Sequence, residues 1–79
     1  MARELDKAAH TLAAEFPTAP DPWSLMFEAV QLYAQARDFK QATALSDELA
    51  KSTNAPAELR ARGERTATRY GFLGKPFDL

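Results

Sequence analysis

Apolar residues recur along the chain at helical spacing, in four stretches separated by proline, aspartate, asparagine and glycine. In residues 2–16, Leu5, Ala9, Leu12 and Phe16 fall at steps of four, three and four, which is one stripe of an amphipathic helix. Pro17 stops it. The second stretch opens on Asp21, placed as an N-cap, with Pro22 at the first helical position, where a missing N–H costs nothing. Its apolar positions, Trp23, Met26, Phe27, Val30, Tyr33 and Ala34, make a stripe wide enough to meet helices on two sides. The third stretch, 39–51, carries Phe39, Ala42, Leu45 and Leu49, with Asp38 placed to cap it. So short a connection predicts an antiparallel hairpin with the second stretch. The fourth begins after Asn54, another cap candidate, and its stripe is Leu59, Gly63, Thr66 and Tyr70. Gly71 suits the left-handed residue that ends many helices. Val30 is the only valine and there is no isoleucine, which further favours helix over strand. The expectation is an all-α fold of about four antiparallel helices.

Gly63 is the odd member of its stripe, because a glycine inside a helix costs about 1 kcal/mol relative to alanine. On an inward face it predicts the close approach of a neighbouring backbone or ring.

Shifting the chain by 33 positions against itself lays inward positions on inward positions. Ala9, Leu12 and Phe16 fall on Ala42, Leu45 and Leu49; Met26, Val30 and Tyr33 fall on Leu59, Gly63 and Thr66; Asp21 falls on Asn54. A period of this size is the signature of helical-hairpin repeats. The second and third stretches resemble a tetratricopeptide (TPR) repeat through Tyr33, the turn Arg37-Asp38-Phe39-Lys40-Gln41-Ala42, and Leu45 and Leu49 beyond it. Arg37 stands in that family's glycine slot, Ser46 where a large apolar residue is usual, and Met26 in place of a tryptophan. The resemblance implies a TPR-like array of helical hairpins, the alternative being an ordinary four-helix bundle.

Composition narrows the chemistry. The 79 residues include 10 basic and 11 acidic side chains, one histidine and no cysteine. A disulfide, a thiolate-bound metal and a thiol nucleophile are therefore excluded within this stretch. A formal net charge of −1 supplies no global field for nucleic acid or an anionic membrane. Apolar runs are too short for a membrane span or a signal peptide.

The composition shifts at residues 70–79, Tyr-Gly-Phe-Leu-Gly-Lys-Pro-Phe-Asp-Leu, where the helix is expected to end at Gly71. Residues 73–79 resemble the opening of a thioredoxin-like domain of the TlpA / AhpC-TSA type, in which a Gly-Lys-Pro turn leads into the first strand. The resemblance implies a helical domain over residues 1–71 and, over residues 72–79, a linker or the start of a missing thioredoxin-like domain. It also implies a bacterial, extracytoplasmic (periplasmic) setting for a longer thiol-disulfide oxidoreductase. That family's chemistry runs on cysteine, so no redox residue carries over. A second reading of the tail has Phe72, Leu73, Phe77 and Leu79 folding back over the helices.

Little else in the sequence points to catalysis. His10 sits beside its helix stripe without converging partners, as a solvated surface residue; Asp47, Glu48, Glu58 and Glu64 are scattered acids. No catalytic residue, cofactor or metal site is expected. Two sets of residues form a possible interaction surface. Arg60, Arg62, Arg65 and Arg69 make the fourth stretch arginine-rich, with Glu58 spaced to pair with Arg62; Trp23 and Phe27 belong to an aromatic cluster with Tyr33 and Phe39. The expected function is a non-catalytic interaction or positioning module whose partners are its own downstream thioredoxin-like domain, another protein or a second copy, without nucleic acid. The alternatives are a free-standing protein-binding adaptor and a nucleic-acid binder using the arginine-rich helix.

Overall fold

A computed structural model describes residues 2–16, 18–19 and 21–74. It contains four helices, α1 (Ala2–Glu15), α2 (Asp21–Gln35), α3 (Phe39–Lys51) and α4 (Ala57–Gly74), and no strand among the described residues. The all-α expectation holds, and three of the four helices lie where the apolar stripes place them.

The α2–α3 turn is built from backbone hydrogen bonds at both ends. Asp38 N–H donates to the Tyr33 carbonyl (2.9 Å) and Arg37 N–H to the Ala34 carbonyl (3.0 Å), the paired bonds of a Schellman C-cap. The residue such a cap turns left-handed is Arg37, at φ 61°, the same position that the TPR pattern gives to glycine. Asp38 then caps α3 as expected, its carboxylate accepting from Gln41 N–H at 3.3 Å.

Two expected boundaries are corrected. Asn54 does not cap α4, which starts at Ala57, with the Pro56 carbonyl accepting from Arg60 N–H at 2.9 Å. Steric conflict with the proline ring keeps Ala55 out of helical geometry, so the helix cannot begin before Pro56. Gly71 does not end α4 either. No described glycine has positive φ, and the helix continues to Gly74. Its last turns lie against α3, with Tyr70 stacked on Phe39 (ring centroids 5.9 Å apart) and Gly71 beside Thr43. This packing outweighs the glycine penalty. Of the tail, residues 72–74 are thus helical, and residues 75–79 lie outside the described residues.

The core runs through α2, whose Pro22, Trp23, Met26, Ala29, Val30 and Tyr33 are all buried. Ala9 of α1, Ala42, Leu45 and Leu49 of α3, and Ala55 before α4 complete it, with Leu5, Leu59 and Tyr70 half-buried against it. Side chains as fully buried as Met26 and Leu49 contribute about 1.5–3 kcal/mol each. Packing follows chain order, α1 on α2, α2 on α3 and α3 on α4, with a smaller contact between α2 and α4. The backbone of α1 contacts neither α3 nor α4, so the helices form an open series, and the molecule is flat, 45 × 25 × 14 Å.

Gly63 performs the close approach that its place predicts. A Cβ there would lie 2.9 Å from the Ser46 carbonyl oxygen and 3.1 Å from the Ala50 nitrogen. With α4 this close, no large side chain fits at position 46. The fully buried Ser46 instead has its hydroxyl bonded by Thr66 Oγ1 at 3.0 Å, which satisfies a polar group that would be costly if left alone.

Candidate functional site

The arginines divide into two groups. Residues 62, 65 and 69 stand at steps of three and four, on one face of α4, and their side chains with Thr66 surround a cleft of about 220 Å³. Arg62 is held by Glu58, Nη2 to Oε1 at 2.9 Å, the pairing that the sequence spacing predicts. Among the described residues neither Arg65 nor Arg69 pairs with a carboxylate. Arg60 does not line the cleft and is half-buried with its Nε enclosed.

The aromatic pair is not a free surface within this unit. Trp23 is only 7% exposed and belongs to the core, and Phe27 is half-buried against it. The exposed large apolar residues among those described are Phe16 at 56% and Phe72 at 76%.

A second cleft, about 390 Å³, lies over Tyr33 and is lined by Arg3, Asp6, Lys7, His10, Tyr33 and Gln41. Along it a chain of polar contacts joins three helices. Tyr33 Oη donates to Asp6 Oδ2 at 2.8 Å. His10 Nδ1 lies 2.8 Å from the Asp6 carbonyl oxygen and 2.7 Å from Asp6 Oδ1. The single Nδ1 hydrogen goes to the carbonyl, so Oδ1 is in electrostatic contact without accepting a hydrogen bond. His10 Nε2 contacts Glu48 Oε2 on α3, 38 residues away. His10 is 43% exposed, as its place beside the stripe predicts, yet it is the strap between α1 and α3, whose backbones do not touch.

The strap sets two ionisations. Burial by itself pulls the His10 pKa down, but the hydrogen bonds to the Asp6 carbonyl and Glu48 carboxylate, with the charges of both acids, outweigh it and leave the pKa above its ordinary value. Burial and donation to the Asp6 carboxylate push the Tyr33 hydroxyl up to about 12. The two ring nitrogens of His10 engage groups on α1 and α3, so His10 links these helices where it lines the cleft. Sequence spacing gives no signal of this strap, since it depends on how α1 and α3 lie across α2.

Among the described residues no group of three or more His, Cys, Asp or Glu is placed to hold a metal ion, and no helix is long and apolar enough to cross a membrane. Comparison with protein-family models, curated proteins and solved structures finds no match.

Proposed function

We propose that this helical unit is a non-catalytic, TPR-like interaction or positioning module that works beside a TlpA / AhpC-TSA type thioredoxin-like domain, outside the cytoplasm of a bacterium, by presenting a helical surface. One pair of repeat-equivalent residues carries the interaction part of the reading. Leu49 is fully buried, because α3 has a helix on each side, whereas its equivalent Phe16 is 56% exposed at the end of α1, which packs only on α2. An open repeat leaves such unfinished apolar surface at its ends, and surface of that kind marks contact sites. The thioredoxin link rests on the resemblance of residues 73–79 alone.

The test uses the longer gene product. The expected coding sequence after Leu79 contains a Trp-Cys-x-x-Cys motif, and a stop codon directly after Leu79 would remove the thioredoxin link. Insulin reduction by the purified product is then compared with and without residues 1–74. Unchanged reduction, together with chemical-shift changes around Phe16 when the helices meet the downstream domain or a protein partner, is the expected result. A large loss of insulin reduction would place the helices in the catalytic machinery instead.

A further inference from the structure

We propose that the stripe Arg62, Arg65, Thr66 and Arg69 on α4 is a docking surface for an acidic protein segment, whose carboxylates enter the cleft between the guanidiniums. The inference rests on reading the unit as an interaction module and gives one of its surfaces a partner chemistry.

The repeat supplies the first argument. Shifted by 33 positions, the stripe corresponds to Ala29, Leu32 and Tyr33 of α2 and to Ala36 just beyond its end; Ala29 and Tyr33 are buried, Leu32 is half-buried and Ala36 is exposed. The face that α2 turns into its neighbours is thus rewritten on α4 with three arginines. An outward helix face needs polar residues, but mixed charges would serve that end, while like charges at three- and four-residue spacing repel one another. Glu58 answers Arg62 on this face, and the like charges left at Arg65 and Arg69 are accounted for by an anionic counterpart. The second argument is the chemistry already present. Arg62 binds the carboxylate of Glu58 at 2.9 Å, whereas Arg65 and Arg69, on the same cleft of about 220 Å³, have no carboxylate among the described residues. Guanidinium forks match carboxylates in two-point geometry.

Charge distribution selects a peptide over a nucleic acid. Residues 1–54 hold five basic and eight acidic side chains, −3, and residues 55–79 hold five basic and three acidic, +2. A long polyanion would meet repulsion away from α4. From position 62 to 69 the stripe is roughly 10 Å long, the reach of about three extended residues.

The experiment titrates the full chain with a short all-glutamate peptide at low salt and follows backbone amide shifts. Shifts concentrated at residues 62–69 are expected, with binding weakened about two- to fivefold by Arg65→Gln or Arg69→Gln and unchanged by Arg3→Gln, which removes the same charge from the opposite end. Circular dichroism confirms that each variant keeps its helices; should one lose them, the other variant and a salt titration give the same reading. No shifts at residues 62–69, equal weakening by Arg3→Gln, or tighter binding of a single-stranded oligonucleotide of equal charge would each overturn the proposal. If the peptide fails while Phe16 still responds to a protein partner, the α4 surface falls and the module reading stands.

Discussion

Gly63 of α4 is seated against Ser46 of α3 so closely that a Cβ would stand 2.9 Å from the Ser46 carbonyl oxygen. That oxygen and the neighbouring Ala50 nitrogen, at 3.1 Å, are main-chain atoms of a helix and cannot turn aside. Gly63→Ala therefore forces the two helices apart, at the about 1–3 kcal/mol typical of overpacking, which exceeds the gain in helix propensity of about 1 kcal/mol. Thermal unfolding followed by circular dichroism should show the midpoint falling by several degrees, and loss of the Thr66–Ser46 hydrogen bond should accompany it.

The same substitution at Gly71 has the opposite sign. Gly71 lies inside α4 with negative φ, and a Cβ there would meet only Thr43 Cγ2, at 3.6 Å, an ordinary van der Waals distance. Gly71→Ala gains helix propensity without a clash, about 0.5–1 kcal/mol. For a domain of this size the midpoint should rise by about 2–8 °C, and a fall would show that Gly71 does not lie within a helix.

Arg37 holds the left-handed position of the α2–α3 turn at φ 61°, where a Cβ costs about 1–2 kcal/mol and glycine costs little. Arg37→Gly is expected to stabilise the fold by roughly 1 kcal/mol after the larger entropy of the unfolded glycine is subtracted, and Arg37→Val to destabilise it. Denaturation midpoints in urea, at unchanged slope, check both.

The apolar stripes, with the Asp38 cap, made the helices legible, because 3.6-residue periodicity is a local property of the chain; Asp21, expected as a cap, is instead the first residue of α2. The glycine slot occupied by Arg37 was legible for the same reason, since the turn around it is closed by residues 33–38 alone. Boundaries failed where tertiary contact or a proline outweighed local preference. Pro56 delayed α4 beyond Asn54, and packing on Phe39 and Thr43 carried it past Gly71. In the candidate surfaces the sequence showed only that Arg60, Arg62, Arg65 and Arg69 share one stretch; the fold sets Arg60 aside with its Nε enclosed and brings the other three around one cleft. The His10 strap was invisible, because no sequence rule joins His10 to a glutamate 38 residues on. Trp23 illustrates the converse, an aromatic whose spacing marks a stripe without saying whether that stripe faces a partner or the core.

The strap makes stability depend on pH in a defined direction. The groups around His10 are Asp6, Arg3 and Lys7 on α1, Tyr33 on α2 and Glu48 on α3. Its net pKa is raised above 6.5 in the fold, so the protonated ring is favoured by folding. The associated stability is fully present below the ordinary histidine value and is lost as pH rises through the higher folded-state value. With His10 43% exposed and Glu48 50%, solvent screening keeps the effect within the about 0–1 kcal/mol of surface ion pairs. The thermal midpoint should therefore decline modestly as pH rises from 6.5, and Glu48→Gln or His10→Gln should flatten that decline. An NMR titration of the His10 ring reads the cause directly. Its pKa should lie above 6.5 in the native chain and move down in Glu48→Gln, while α1 amides near His10 shift with the same midpoint. A ring titrating at or below the ordinary value would show that α1 is not strapped to α3.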